Sequence, residues 1–177
     1  MFNLQLFAEA VQGKKVVYLY RVHEDAATVD GATLAFTTEN SLSIDVDADS
    51  TQTKDGSIRT PASPEIEIES TSIFKKGDDT IETYKKAMLD NKLFDIWRAN
   101  LEAPGTGNNK FKGTYYQGYL TSFEETANAE DFVEYGLTFG INGKGADGDV
   151  TVTTEQQEAA NYSFIDTPKG ATGATGA

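Results

Sequence analysis

A mainly β protein, an antiparallel β-sandwich with one flanking helix, is the fold class this sequence predicts, on three observations. Apolar and polar residues alternate with period two at Ser41 to Asp47, at Glu65 to Ile73 and again across Tyr115 to Gly143. Helical spacing recurs only once, after Asp79. Turn chemistry punctuates the chain between these segments, as Asp55-Gly56, Pro104-Gly105 and Asn108-Asn109. The tally of about seven or eight short strands and one helix leaves a sandwich and a barrel-like arrangement both open.

A chain of 177 residues, 38% apolar and 24% charged, suits one domain with a sizeable core and short appendages. It has no cysteine, so neither a disulfide framework nor a thiolate metal site is available. Its formal net charge of −13 argues against wrapping nucleic acid by neutralising phosphates. The same excess would let a polyanion slide along a passage without sticking, because like charges leave no favourable contact to break.

Met1 to Ala10, MFNLQLFAEA, lacks a basic start, and Gln5 and Glu9 interrupt its short apolar run, so it reads as an arm or short strand rather than a targeting segment. No run approaches the roughly 18 to 20 apolar residues of a membrane-spanning helix. Lys14 to Val22, KKVVYLYRV, is rich in β-branched and aromatic residues and predicts a strand buried on both faces. Ala32 to Thr38 is a weaker strand candidate. In Ser41 to Asp47, Leu42, Ile44 and Val46 share one face, and Ser43, Asp45 and Asp47 the other.

Asp49 to Pro64 is polar and predicts a long loop or extended hairpin with its tip at Asp55-Gly56. A stretch of roughly a dozen or more such residues in a compact domain is often functional. Glu65 to Ile73 resumes alternation, with Ile66 and Ile68 facing one way. Asp79-Thr80-Ile81-Glu82 fits a capping box, and Ile81, Tyr84, Met88 and Leu89 follow at helical spacing until Asn91, which suits a left-handed stop. Leu93 to Arg98 is a strand with the only tryptophan, and Ala103 to Gly113 a turn-rich loop.

In the hairpin from Tyr115 to Gly143, Tyr115, Tyr119 and Phe123 share one parity with Gln117 and Thr121. In its second strand Val133, Tyr135, Leu137, Phe139 and Ile141 lie opposite Glu134, Gly136, Thr138 and Gly140. Gly143 to Gly148 reads as a turn and Asp149 to Thr153 as a short strand. Gln156 to Ile165 suits an extended segment or short helix, and the terminal GATGATGA suits disorder. The domain organisation is an arm at 1–12, a β domain at 13–155 that includes the loop at 49–64 and the helix at 79–90, and a C-terminal arm and tail at 156–177.

No catalytic, metal-ligating or cofactor-binding residue set emerges. Asp45, Asp47 and Asp49 begin like a calcium loop, but Ser50 stands where that loop needs glycine and Gly56 where it needs a bidentate glutamate. His23 is the only histidine and has no partner motif, so a charge-paired histidine at a strand end is the better reading. Glu124, Glu125, Glu130 and Asp131 read as a solvated acidic turn rather than a paired-carboxylate site. Asn142 to Gly148 lacks phosphate-loop spacing. Tyr115, Tyr116, Tyr119, Phe123 and Trp97 suit either a sugar-stacking platform or a core and subunit interface.

The run YYQGYLTSFEETANAEDFVEYGLTFGINGKG, with AVQGKKVVYLYRV, LAFTTENSLS, TKDGSIRT and LFDIWRAN in order before it, resembles the major tail protein of long, non-contractile-tailed bacteriophages, typified by lactococcal siphophages. The resemblance covers roughly residues 10 to 166 and leaves out the first residues and the GATGATGA tail. It implies a structural, non-enzymatic virion protein without cofactors, made in the bacterial cytoplasm. It also implies hexameric rings that stack into a tail tube whose barrel holds the tape-measure protein and later passes DNA without specific binding. Tail-terminator and distal-tail proteins are the further implied partners, and no membrane is involved.

The expected ring–ring contact loop is Thr53, Lys54, Asp55, Gly56, Ser57, Ile58 and Arg59, with both arms beside it. Glu134, Gly136, Thr138 and Gly140 are expected to face the lumen, and the helix from Ile81 to Leu89 the outer side. The alternatives are a carbohydrate- or calcium-binding β-sandwich module, an acid-based hydrolase, and a tail-completion or other virion component of related fold.

Overall fold

The computed structural model describes residues 10–161, so most of the N-terminal arm and the GATGATGA tail lie outside it. Six strands form one antiparallel sheet in the order β1-β6-β7-β8-β5-β2. They are β1 (Val16–Val22), β2 (Thr37–Asp45), β5 (Glu65–Ile73), β6 (Leu93–Pro104), β7 (Lys110–Thr126) and β8 (Glu134–Thr151). The pair β3 (Ala48–Thr53) and β4 (Gly56–Pro61) forms a separate ribbon between β2 and β5.

β1 is buried on both faces, as its composition predicts. Tyr18, Tyr20 and Val22 enter the main core, whereas Val17 and Leu19 enter a smaller second core. Although β1 is an edge strand, Tyr20 stacks on Phe139 of β8 with ring centroids 5.1 Å apart. Its hydroxyl reaches Ser70 of β5 and donates to Asn40 Oδ1 of β2 at 3.3 Å. Strands far apart in the hydrogen-bonded order therefore meet across the core. The sheet folds over on itself, and the two layers of the sandwich are halves of one continuous sheet.

The parity predicted for β8 holds. Tyr135, Leu137 and Phe139 are buried, and Val133 and Ile141 pack partly buried against them. Phe139 is fully buried among Tyr20, Phe94 and Leu137. Phe139→Ala is expected to cost about 3–5 kcal/mol of unfolding free energy, read as a lower denaturant midpoint.

Two sequence expectations for this hairpin fail, both at register shifts. The ladder between β7 and β8 shifts between Leu120 and Ser122, so Phe123 turns into the main core with Tyr116 and Leu120. Tyr115 and Tyr119 point to the other side, and the shared parity of Tyr115, Tyr119 and Phe123 is broken. Gly143 to Gly148 is not a turn. β8 runs through it as a bulge, with Gly143 and Gly145 at φ 72° and 76°, and then pairs with β7 again as far as Thr151.

The helix α1 (Thr80–Leu89) buries Ile81, Tyr84 and Ala87 on the main core, and Tyr84 donates to the Tyr20 carbonyl at 3.1 Å. Leu89, predicted on the buried stripe, is exposed, and Ala87 takes its place because a small side chain lets the helix approach the sheet. The capping box does not form. Asp78 Oδ1 instead accepts from the Thr80 amide at 2.9 Å. Asn91 adopts the left-handed conformation expected of it, with φ 53°.

The second core gathers Val17, Leu19, Ala99, Val150 and Val152 on the opposite face of the sheet. The backbone of Gly31 lies so close to Trp97 that a Cβ there would sit 3.0 Å from the ring. The short helix α2 (Thr154–Asn161) completes this side, with Gln156 donating to the Gly31 carbonyl at 3.1 Å.

Candidate functional site

Three surfaces stand out. The first is the outer face of the β2-β5-β8-β7 layer. β5 buries Ile66, Ile68, Ser70 and Ser72, so Glu65, Glu67 and Glu69 point away from the core. Register extends that face to both sides. Asp45 pairs with Glu65, Ser43 with Glu67 and Ser41 with Glu69 on β2, while Gly140, Thr138, Gly136 and Glu134 of β8 continue it. On β7, Ser122 and Glu124 lie opposite Thr138 and Gly136. Glu134, Gly136, Thr138 and Gly140 therefore share one face with the carboxylates of Asp45, Glu65, Glu67, Glu69 and Glu124, and no lysine or arginine is among these positions. Sequence reasoning found only the β8 members. Alternation of Glu65, Glu67 and Glu69 against Ile66 and Ile68 is the signal that could have found the rest.

The second surface is the ribbon. Asp49 to Pro64 is an extended hairpin rather than an irregular loop, with Thr53 paired to Gly56 around Lys54-Asp55. Thr53 donates to the Gly56 carbonyl at 2.6 Å, and the Ser50 and Ser57 hydroxyls meet at 2.5 Å. Every residue from Ala48 to Pro61, Ile58 among them, is exposed. The ribbon contributes nothing to the core.

The third is a polar cluster around Asp95, which is buried on β6 and points away from the main core. Arg21 holds Asp95 Oδ2 at 2.8 Å, while His23 Nδ1 and Tyr115 Oη meet Oδ1 at 2.8 and 2.6 Å. The Arg21 guanidinium also lies 4.9 Å over the Trp97 ring. His23 thus pairs with Asp95 across the sheet rather than with its neighbours Glu24 and Asp25. Burial alone would raise the Asp95 carboxyl, but hydrogen bonds from Tyr115, Arg21, His23 and Gln117 outweigh it and hold the group below its ordinary value. Burial first, and the Asp95 carboxylate next, push the Tyr115 phenol up to about 12.

A carboxyl depressed in the folded state binds its proton more readily when unfolded, so its stabilisation is present above the unfolded value of about 4 and is lost as pH falls through the folded value. Asp95→Asn is expected to cost about 1–3 kcal/mol at pH 7, because Arg21 loses its charged partner, and to flatten the acid-side loss of stability. Denaturant midpoints from pH 3 to 7 measure both effects.

The remaining candidates do not converge. Tyr116 and Phe123 enter the main core, Trp97 and Tyr115 stand on the other face at a centroid distance of 5.4 Å, and Tyr119 is exposed, so the aromatics make no single platform. Asp45, Asp47 and Asp49 are strung along the backbone where β2 passes into β3, and among the described residues no three His, Asp or Glu side chains gather as a metal would require. A small pocket lined by Leu34, Phe74 and Ile81 has room for only about 10 Å³. An open groove of about 530 Å³ runs between Arg98, Lys112 and Asp147. No described helix is long and apolar enough to cross a membrane.

Comparison with known proteins places these surfaces in context. Residues 10–147 match the family described as phage tail tube protein. A tail protein of Staphylococcus phage phiMR25 is 35% identical over 146 residues, covering 80% of this chain and 76% of the relative. The tail tube protein of Bacillus phage SPP1 is 26% identical over 147 residues, covering 82% of this chain and 54% of the relative, so this chain spans about half the length of that protein. Among solved structures, the SPP1 tail tube shares the fold with a TM-score of 0.70 at 24% identity, over 86% of each chain. The tail of an empty gene transfer agent particle, refined with C6 symmetry, gives 0.56 at 14% identity, over 77% of this chain and 98% of that one.

Proposed function

Because this chain belongs to the phage tail tube protein family, we propose that it assembles into hexameric rings that stack into a hollow tail tube, with the acidic face of the β2-β5-β8-β7 layer lining the channel. The observation that carries the reading is the composition of that face: carboxylates and small residues on four adjacent strands, with no cation between them. In this arrangement Glu134, Thr138 and the small Gly136 and Gly140 stay wet, and the channel houses the tape-measure protein and conducts DNA into the host without binding it. Tail-terminator and distal-tail proteins close the two ends, and the subunits are made in the host cytoplasm before assembly.

The sheet edges suit this role, although Ala32 already bridges the outer side of β1 at Tyr20. β1 and β2 end the sheet on either side, and edges completed by neighbours disappear when a ring closes. Rotational contacts that close give rings, and a second, axial contact gives the tube. The ribbon tip, Thr53 to Arg59, together with both arms, makes the axial contact. The helix α1, packed on the core side of the sheet and away from the acidic face, lies toward the outside of the tube. Negative-stain electron microscopy of the purified protein tests the reading. Six-fold rings or tubes are expected, whereas persistent monomers at high concentration would refute it.

A further inference from the structure

β2 and β5 lie side by side in antiparallel register, and the ribbon leaves them at one pole, between Asp45 and Glu65. At the other pole, where β2 begins and β5 ends, three phenylalanines face solvent: Phe36, Phe74 and Phe132, exposed by 63%, 41% and 76%. Their backbones are tied together. The Ile73 amide donates to the Phe36 carbonyl at 3.1 Å, and the Phe74 amide to the Val133 carbonyl at 2.8 Å. Phe36 also has φ 49°, a left-handed conformation that a bulky side chain adopts only when its surroundings impose it. An exposed apolar rim of this kind marks a contact surface.

We infer that this Phe36-Phe74-Phe132 pole is the seat for the β3–β4 ribbon of a second copy of this chain, placed in the adjacent ring. The inference rests on the tube reading above and adds to it the receiving surface. Position and chemistry both select the ribbon as the occupant. Ribbon and rim stand at opposite ends of one strand pair, which is the geometry a head-to-tail contact needs if it is to repeat along an axis. One ribbon face carries Ile58 beside Thr51, and Val46 at its root is exposed as well, which supplies apolar surface for the rim.

Charge favours the same pairing through the rim lysines. Beside Phe74 the rim carries exposed Lys75 and Lys76, neither held in an ion pair among the described residues, and beside Phe132 it carries Glu130 and Asp131. The ribbon presents Asp47 and Asp49 along its stem, with Arg59 one rung beyond Asp49, and Lys54 beside Asp55 at its tip. Stem carboxylates meet the rim lysines. Asp78 accepts from the Thr80 amide at the start of α1 and also feels the Lys75 charge, without a direct ion pair to it.

The chain has no cysteine of its own, so introduced thiols report the contact directly. Separately purified Ile58→Cys and Phe132→Cys subunits, mixed, assembled and oxidised, are expected to yield a mixed disulfide dimer, and one chain carrying both substitutions a covalent ladder. Lys75→Glu with Lys76→Glu is expected to abolish tubes at the wild-type assembly concentration, and Asp47→Lys with Asp49→Lys in the same chain to restore them. Circular dichroism confirms that each subunit is folded. Tubes of normal appearance without mixed dimer, together with no charge-swap rescue, would overturn the seat and leave the ribbon's axial role standing. Stacking by chains that lack Thr53 to Arg59 would overturn both.

Discussion

Subunits lacking Thr53 to Arg59 are expected to fold with an almost unchanged melting temperature and yet form no tubes. The first half of that expectation follows from the protomer. Every residue of the ribbon is exposed, and its ladder hydrogen bonds close within the ribbon itself, so its removal uncovers no apolar surface. Rejoining Gln52 to Thr60 keeps the Asp49–Thr60 pair and leaves Ser50 to Gln52 as a short turn, a length that hairpins accommodate. The second half follows from the axial role proposed for the tip. Thermal melting and electron microscopy on the same preparation separate the two, and tubes of wild-type length would end that assignment.

What sequence reasoning could see depended on whether a feature was local. The alternation in β8 and β5 is local, and the core took the parity it predicts, down to Phe139 and Ile68 at full burial. The capping residues of α1 and the bulges of the β7–β8 ladder depend on partners. Nothing in the string Tyr115 to Phe123 announces that the register slips between Leu120 and Ser122, so Phe123 could not be assigned to the core by counting. Gly143 and Gly145 were legible as a place of left-handed backbone, but a turn and a bulge ask for the same glycines, and only pairing beyond them decides between the two.

Long-range pairing set the same limit on the functional surfaces. His23 lies 72 residues from Asp95, and it takes the β1–β6 register, Arg21 opposite Asp95, to bring the two together. The acidic face likewise exists only because β5 is zipped between β2 and β8. Four β8 residues were legible as one polar parity, and the glutamates of β5 as another, but their union into a single sheet face is a property of the register.

That union carries the other large expected effect. Asp45 lies directly opposite Glu65, an arrangement of like charges that destabilises an antiparallel pair by a few tenths of a kcal/mol or more. Among the described residues neither carboxylate is held in an ion pair that would relieve it. A face that keeps its carboxylates at some cost to the isolated subunit is consistent with a selective role for the charge itself. Glu67→Lys, Glu69→Lys and Glu134→Lys in one chain should therefore leave the fold intact, or slightly steadier at low salt, because each replaced side chain points to solvent. Assembled tubes of this variant are expected to retain DNA fragments that wild-type tubes exclude. Retention should fall steeply as salt rises, since each phosphate neutralised contributes a slope of about −0.7 for single strands and about −0.9 for duplex in log K against log salt. Phage carrying the variant should build tails of normal length and eject DNA poorly. Variant tubes that exclude DNA as well as the wild type, at low salt and with the fold confirmed, would mean that this face does not line the channel.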